Sequence, residues 1–457
     1  MKACLTALCL VLPLTALAGE PVIHPVPAGK AFWSSANDDF TVRVRQPGGQ
    51  WRDLYEYRVR VDNDQKRDAS MVLFDMDGPV EVSVRKNNGD VRRVQVRPAS
   101  AGVKAKLEGD TAFFTLSDPR KISVEFDGDR LSNLHLFAGK VRPTPPEGAV
   151  MFGPGIHLPP DGADRFRFAS DTTICLAPGA ILEGGIDLRD VQNVRIIGNG
   201  LITKAKDEGI ALIRARNVEI DGPVMVNPGH YSVFCGQSTG VTIRDFKAFS
   251  MGSWTDGLDF MSCSDVRIDD IFMRNSDDNI AIYGGRWEHK GDAANYLVTN
   301  AILWADIAHP INIGLHGTKG AGETISNLTF RNIDILEHDE DDPEYQGAIA
   351  ITNGDGNKVR DVLFEDIRVE RIEEGMPFNF RVVFNDKYSH EPGGGIENVT
   401  LRNVRFLGTG TNRPVIAGHA DGGGVRNVRI ENVTLGDRKL KPSDIDVGMK
   451  VEDLVIR

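Results

Sequence analysis

The chain has 457 residues, too many for one ordinary compact domain, and a glycine-rich composition typical of soluble globular proteins. Its formal net charge of −12 argues against nucleic acid or an anionic membrane surface as a partner. Beyond residue 18 no stretch is apolar and long enough to span a bilayer, so we expect no membrane insertion.

The first 18 residues have the pattern of a secretory signal peptide. Lys2 is followed by an apolar run over residues 3–17, and Ala16-Leu17-Ala18 fits a cleavage site. We predict cleavage after Ala18 and a mature protein that is periplasmic or secreted. Three cysteines then remain, which we expect to be buried thiols while leaving one disulfide open: Cys175, Cys235 and Cys263.

Residues 19–142 consist of short segments that alternate apolar and polar side chains with period two. These segments lie at residues 40–45, 57–61, 80–84, 94–96 and 122–126. Turn sequences separate them and no helical pattern intervenes, which predicts an N-terminal antiparallel β-sandwich. A proline-rich stretch at residues 141–147 marks the boundary with a second domain over residues 143–457.

The second domain repeats one phrase, an apolar strand, one Asn or Asp, and another apolar strand. The matching positions are Val194, Val218, Val241, Val266, Leu297, Leu328, Val362, Val399, Val428 and Leu454. Steps of this length without helical periodicity predict an all-β solenoid, a right-handed parallel β-helix with one turn per repeat.

The Asn or Asp within each phrase has a structural explanation. A sharp bend between two strands needs a residue near the left-handed conformation, which Asn and Asp tolerate best after Gly. We therefore interpret Asp245, Asp270 and Asp366, which have Asn counterparts in other repeats, as turn residues.

Two similar sequences on the strands that precede this phrase carry the candidate chemistry, TDGLDF at residues 255–260 and DDNIAI at residues 277–282. Aligning Leu258 with Ile280 places Asp256 on Asp278 in the next turn, with Asp277 one residue before. Strands in adjacent turns are roughly 4.8 Å apart. Like charges at that distance raise at least one pKa, which keeps a carboxyl group protonated as a general acid. A cation site or strand-end turns are the alternatives.

Other residues are candidates for binding a substrate. The next turn places His309 beneath Asp278, because Ile311 and Ile313 match Ile280 and Ile282. The remaining candidates, chosen as histidines, aromatic residues or an outward carboxylate near the trio, are His316, Asp259, His230, Tyr231, Tyr283 and Trp254.

These residues resemble the polygalacturonase-like β-helix glycoside hydrolases, a clan that includes the polygalacturonase family and the dextranase/isopullulanase family. The polygalacturonase signature is N-T-D, then D-D, G-H-G and R-I-K. Thr255-Asp256 matches the first element with Trp254 in place of Asn, Asp277-Asp278 matches the second at the family spacing, and His309 alone is kept from the third. R-I-K is missing, which weighs against galacturonate recognition. The N-terminal sandwich is similar to the dextranase family.

The resemblance implies an inverting glycoside hydrolase that needs no metal. Asp277 would be the general acid, while Asp256 and Asp278 would hold and deprotonate the attacking water. Inverting enzymes separate acid and base by ~6.5–9.5 Å to accommodate that water. We expect a polysaccharide or oligosaccharide substrate, no cofactor and a monomer.

Two other classes of function fit parts of the sequence. A β-helix polysaccharide lyase or epimerase typically needs Ca²⁺ and a Lys or Arg base, and the strands of the trio carry no adjacent Lys or Arg. A non-catalytic binding module would not need the trio. The acidic run at residues 337–344 is either a solvated loop or a Ca²⁺ site.

Overall fold

The structure, a computed structural model, describes residues 19–457, so the predicted signal peptide at residues 1–18 lies outside the described residues. Within residues 19–457 no helix has the length and apolar character to cross a membrane. The described residues contain one short α-helix, α1 (Lys30–Ser35), and 3₁₀ turns at Ala99–Ala101, Pro160–Gly162 and Pro442–Asp444.

The first domain contains strands β1 to β11, which form two sheets. In chain order they lie at Val22–Ile23, Phe40–Arg45, Arg52–Asp53, Tyr57–Val61, Arg67–Met76, Val80–Lys86, Val94–Arg97, Lys106–Glu108, Thr111–Leu116, Arg120–Phe126 and Leu134–Lys140. One sheet has the order β1-β5-β11-β10-β7, with β4 also on β5, and the other has the order β3-β2-β6-β9-β8. All pairings are antiparallel except the parallel pair β5–β11. The predicted antiparallel sandwich is confirmed with this one addition.

Strands β12 to β44 form the parallel β-helix, near the end of which one pair, β41–β42, is antiparallel. They lie at Val150–Phe152, Gly155–His157, Arg165–Arg167, Thr173–Leu176, Ala180–Glu183, Gly185–Arg189, Gln192–Gly198, Leu201–Thr203, Ile210–Ile213, Arg216–Asp221, Val224–Val226, Val233–Gly236, Thr239–Arg244, Lys247–Phe249, Leu258–Met261, Ser264–Asp269, Phe272–Ser276, Ile280–Tyr283, Ala293–Thr299, Ile302–Ile307, Ile311–Ile313, Thr324–Glu337, Ile349–Asn353, Lys358–Val369, Phe378–Val382, Gly395–Arg402, Arg405–Phe406, Val415–Ala417, Val425–Glu431, Thr434–Leu435, Arg438–Lys439, Asp446–Val447 and Val451–Ile456. An eleven-stranded sheet, β14-β17-β20-β23-β26-β29-β32-β34-β36-β39-β43, forms one face, and a 22-stranded sheet wraps the rest.

The observed register confirms the predicted repeat except at one position. Val266 lies opposite Tyr296, and Tyr296 lies opposite Leu328, so Tyr296 takes the core position that the sequence assigned to Leu297. Tyr296 can be buried because its hydroxyl donates to the Cys263 carbonyl oxygen at 2.9 Å.

The Asn and Asp residues within the repeat adopt the left-handed backbone that the bend requires. Their φ angles lie between 47° and 56°, and they are Asp245, Asp270, Asn332, Asp366, Asn403 and Asn432. Their side chains also bond from turn to turn, since Asn403 Nδ2 donates to Asp366 Oδ1 at 3.0 Å and Asn432 Nδ2 to Asn403 Oδ1 at 2.9 Å. Structural turns therefore account for these residues.

The sandwich packs on the 22-stranded sheet and leaves the eleven-stranded sheet uncovered. Its apolar contact joins two groups of buried side chains. They are Tyr57, Val59, Val61, Ala69, Met71, Leu73 and Phe137 from the sandwich, and Ile181, Leu201, Val224, Val226, Phe249 and Phe272 from the β-helix.

Buried ion pairs accompany this contact. Arg274 of the β-helix, which is fully buried, pairs with Asp306 at 2.9 Å and donates to Asn133 Oδ1 of the sandwich at 3.0 Å. Its guanidinium lies 4.0 Å from the centre of the Trp304 ring, so Trp304 belongs to this interface.

Two cations of the sandwich also reach the β-helix. Lys121 Nζ contacts Asp245 at 2.9 Å and Asp270 at 2.7 Å, and these two aspartates lie in successive turns. Arg97 Nε contacts Glu370 at 2.7 Å, several turns further along the β-helix.

Candidate active site

The aspartate trio lies where two neighbouring strands of the eleven-stranded sheet begin. Leu258 in β26 lies opposite Ile280 in β29, which confirms the predicted 22-residue register. The Gly257 amide donates to the Asp278 carbonyl oxygen at 2.7 Å, so the segments that precede the two strands run side by side. One oxygen from each carboxylate lies within 4.8 Å of the others, and these belong to Asp256, Asp277 and Asp278.

Asp277 occupies the bend between β28, which ends at Ser276, and β29. The amides of Trp254 and Asp278 each donate to its carboxylate, to Oδ2 and Oδ1 respectively, at 3.0 Å. Burial, followed by the charge of Asp278, nevertheless raises the pKa of Asp277 to about 7. Asp277 is thus a carboxyl group that keeps its proton up to neutral pH.

Asp278 is held as a carboxylate by several donors. Its Oδ1 lies 2.7 Å from His309 Nδ1 and accepts from the His309 amide at 3.0 Å, and Asn312 Nδ2 donates to Oδ2 at 2.9 Å. Burial opposes ionisation, but these donors hold the pKa of Asp278 below its ordinary value. His309 Nε2 contacts the carbonyl oxygen of Tyr345, so both ring nitrogens face acceptors. Asp278 accordingly raises the pKa of His309 against the effect of burial.

A fourth carboxylate, Asp259, lies beside Asp256. It is fully buried in β26, and its polar partner is the Asp256 carboxyl, with which it shares a hydrogen bond. Burial and mutual repulsion raise the pKa of both groups well above the ordinary value for aspartate.

A cation that the sequence reasoning missed, Arg286, faces this pair from the loop after β29. Its Nη1 donates to the Tyr231 hydroxyl, and its guanidinium lies 4.6 Å from the Trp287 ring centre and 5.8 Å from that of Tyr283. Burial lowers the pKa of Arg286, but the two tyrosines and then Asp259 offset this and hold it above its usual value. The conformation of the loop brings Arg286 close to Asp256 and Asp259. The one sequence signal for it is Gly284-Gly285, which precedes Arg286 and predicts a sharp turn.

The remaining predicted residues line the surroundings of the trio. The His316 ring lies edge-on to the Tyr283 ring at 4.8 Å, and burial lowers the His316 pKa to about 3. The His230 ring lies 3.9 Å from that of Tyr231. Trp254 is 59% exposed, with its amide on Asp277 and its indole toward solvent. Their roles in binding stay predictions.

On the other side of the trio the surface is aromatic and amide-rich. Asn312 Nδ2 donates to the Tyr345 hydroxyl at 3.0 Å, and the Tyr345 and Tyr388 rings are stacked with centres 5.4 Å apart. Strand β34, in the next turn, reads Ile-Ala-Ile-Thr-Asn and carries no basic residue. Lys387, on a loop, lies 4.6 Å from the Tyr388 ring centre.

The acidic run at residues 337–344 begins at the domain interface. Glu337 is fully buried and pairs with Arg371 at 3.0 Å and with Arg130 of the sandwich at 3.9 Å. Among the described residues of this loop, no three acidic or histidine side chains converge as the trio does.

Comparison with known proteins identifies a family. The sequence model described as "Glycosyl hydrolases family 28" matches residues 198–448, which is more than half of the chain and includes the trio. No curated protein sequence matches the chain.

Two of the similar solved structures share this fold. Dex49A from Penicillium minioluteum superposes with a TM-score of 0.61 at 14% identity, over 95% of this chain and 96% of that chain. The family 28 exopolygalacturonase of Yersinia enterocolitica gives a TM-score of 0.50 at 13% identity, over 82% of this chain and 96% of that chain. At these identities the likeness shows the fold.

Proposed function

The chain belongs to glycosyl hydrolases family 28, and from this membership and the site we propose that it hydrolyses the glycosidic bonds of a polysaccharide with inversion. The observation that carries the proposal is the division of protonation states within the trio. Asp277 retains a proton up to a pKa of about 7, while Asp278, one residue further, is held ionised. An acid beside a fixed carboxylate is the arrangement that glycoside hydrolysis needs.

In the proposed reaction Asp277 donates its proton to the glycosidic oxygen as the bond from the anomeric carbon to that oxygen breaks. A water molecule held between Asp256 and Asp278 attacks the anomeric carbon, and its proton passes to Asp278, the member of this pair whose pKa lies below its ordinary value and which is therefore ionised. Burial and the neighbouring carboxyl groups raise the pKa of Asp256, which helps to hold the water. Asp277 and Asp278 then exchange protons with solvent before the next cycle. No step of this mechanism uses a metal ion.

The spacing of the trio differs from the expectation for an inverting site. The nearest oxygens lie within 4.8 Å of one another, whereas inverting pairs are usually separated by ~6.5–9.5 Å. Inversion is favoured here because Asp278, whose two oxygens are engaged by His309 and Asn312, is not free to act as a nucleophile. ¹H NMR of the first product tests this, since an initial anomer that retains the substrate configuration would contradict water attack.

A lyase or epimerase is the second candidate, and Arg286 is the observation that favours it. The sequence argument against this class was the lack of a nearby Arg or Lys, and the loop after β29 supplies one. Product analysis separates the two reactions. A hydrolase yields new reducing ends without ultraviolet absorbance, whereas a lyase yields an unsaturated sugar that absorbs. Loss of activity with a chelator would also favour the second candidate.

We further propose that the protein is exported, cleaved after Ala18 and active as a monomer in the periplasm or outside the cell. N-terminal sequencing of the exported protein should begin at Gly19, and size-exclusion chromatography should give the monomer mass. The Sγ atoms of Cys235 and Cys263 lie 2.6 Å apart in the buried core, so we expect an oxidising compartment to join them. Alkylation of the denatured, unreduced protein should then label Cys175 alone, and labelling of all three would contradict this.

A further inference from the structure

A hairpin that follows β29 crosses the eleven-stranded sheet beside the trio. The amides of Arg286 and His289 each donate to the other residue's carbonyl oxygen, at 2.9 and 3.0 Å, and Trp287 lies in the turn between them with φ of 54°. The His289 ring lies 5.2 Å from the ring of Phe234 in β23, two turns back along the β-helix. The hairpin therefore leaves the turn that contains β29 and crosses the turn that contains β26.

This hairpin covers the turn next to the trio. The Ser232 amide donates to the Asp256 carbonyl oxygen at 2.8 Å, which places Tyr231 beside Asp256 in the preceding turn. Arg286 Nη1 donates to the Tyr231 hydroxyl, and the Trp287 ring stacks on the Tyr231 ring with centres 6.3 Å apart. Tyr231 is only 1% exposed, whereas Trp287 is 54% exposed. Trp287 therefore forms the outer surface over the first turn that a substrate lying along the sheet would cross.

The turn on the other side of the trio is covered as well. The Asn279 amide donates to the His309 carbonyl oxygen at 2.8 Å, so His309 is the neighbour of Asp278 in the following turn. The Tyr345 ring lies edge-on to the His309 ring with centres 4.2 Å apart, and His309 is fully buried. Tyr345 itself stacks on Tyr388 of another loop. Loops thus cover the sheet on both sides of the trio.

The trio is open to solvent at the edge where its strands begin. Asp277 is the partly exposed member of the trio, while Asp256 and Asp278 are buried. Trp254, whose amide donates to Asp277, presents its exposed indole at the same edge. Because Asp277 is the proposed proton donor to the leaving group, the departing part of a substrate lies on this open side.

We propose that the hairpin at residues 286–289 and the loop that carries Tyr345 make the site a pocket for one end of a polysaccharide, so that the enzyme releases short sugars from chain ends. This inference rests on the proposed hydrolase function and adds its mode of action. A polymer bound along the sheet would have to pass over Trp287 within about one turn, ~4.8 Å, of the bond that is cut. A chain end has no such continuation and needs only the open edge.

The surface beyond the hairpin offers the alternative, cleavage inside the chain. A cavity of about 270 Å³ lies there, with Trp287 in its lining together with Arg165 of β14 and Asp187 of β17. If a polymer passed over Trp287, this cavity would hold the next of its sugars. Removal of the Trp287 ring should therefore connect the cavity with the pocket of the trio and allow internal bonds to reach Asp277.

Cleavage from chain ends can be tested on any polymer from which the parent protein releases reducing ends, among dextran, pullulan, arabinan and polygalacturonate. Size-exclusion chromatography at early times should show long polymer and short sugars, with no products of intermediate size. Partial acid hydrolysis that shortens the polymer about tenfold at constant mass supplies about tenfold more chain ends, so the initial rate below saturation should rise about tenfold. Internal cleavage would leave that rate unchanged, because the number of glycosidic bonds stays nearly the same.

Trp287→Gly tests the hairpin, because glycine suits the φ of 54° and removes the ring. We expect products of intermediate size to appear in this variant. Lys204→Gly is the matched control, since it also introduces glycine at an exposed left-handed residue, with φ of 56°, directly after β19 on the 22-stranded sheet. Its products should be those of the parent. Far-ultraviolet circular dichroism checks that each variant is folded.

Two results would overturn the inference. One is a ladder of intermediate products from the parent, at a rate that shortening of the polymer does not change. The other is a folded Trp287→Gly variant whose products are the same as those of a parent that cuts chain ends. Internal cleavage by the parent would leave the hydrolase proposal standing. Release of no reducing ends from any of the polymers would instead count against the hydrolase proposal, and this inference would fall with it.

Discussion

Replacing Asp277 with Asn should remove the proton donor and keep the shape of the site. A positioned general acid typically accelerates such a reaction ~10²- to 10⁴-fold, so we expect a loss of about that size on the natural polysaccharide. An aryl glycoside of the same sugar has a leaving group that needs little protonation, and on it the loss should be much smaller. Asp256→Asn and Asp278→Asn should instead slow both substrates comparably.

The pH profile provides a second measure of the same group. With a pKa of about 7, Asp277 is about 90% protonated at pH 6, and above pH 7 the parent rate should fall about tenfold per unit. An aspartate with its ordinary pKa would be protonated in only about 1% of molecules at pH 6. The parent should therefore show an alkaline limb near pH 7 in initial rates of reducing-end release, and the Asp277→Asn variant should lose that limb.

Asp366→Asn is the matched control, because it makes the same change at a left-handed turn where other repeats carry Asn. Its side-chain oxygen would still accept from Asn403, so rate and stability should be those of the parent. Near-normal turnover of Asp277→Asn on the polysaccharide would refute the acid assignment. Rescue of that variant by azide would do the same, since an external nucleophile replaces a base in an inverting site.

The remaining predictions concern pH, stability and substrate. His309→Gln removes the charge that holds the pKa of Asp278 down, so Asp278 should ionise at higher pH and the acid limb of the rate profile should move upward; an unmoved acid limb would contradict this role. Arg274→Met leaves Asp306 buried and unpaired, so urea unfolding should show a loss of ~3–5 kcal/mol, and a loss below about 1 kcal/mol would mean that the pair is not buried in solution. The parent should cleave polygalacturonate weakly or not at all because β34 lacks R-I-K, and efficient metal-independent cleavage would refute that inference.

The parts of the structure that follow from local rules could be predicted from the sequence. Matching Leu258 with Ile280 fixes the register because the apolar side chains of stacked strands share one core, and that register places the trio. The turn residues could be predicted equally well, since Asn, Asp and Gly tolerate a left-handed bend best. At Tyr296 the rule failed by one residue, because the sequence offers two adjacent apolar choices and a buried hydroxyl partner decides between them.

Arg286 and the domain interface could not be predicted in the same way. Arg286 reaches the trio through a loop whose course depends on packing against Tyr231 and Trp287, and no repeat constrains a loop. The partners of Arg274 and Lys121 are brought together by the docking of one domain on another, across more than 100 residues of sequence. Periodicity carries no information about such pairs.

The attachment of the sandwich has a consequence for how the molecule unfolds. A solenoid whose turns touch only their neighbours behaves as a one-dimensional array and can fray from either end. Here Lys121 ties together the turns of Asp245 and Asp270, and Arg97 ties the sandwich to the later turn of Glu370. Unfolding of any one turn between Asp245 and Glu370 would therefore break contacts that the sandwich makes with the neighbouring turns. We expect these central turns to unfold together with the sandwich in a single cooperative transition.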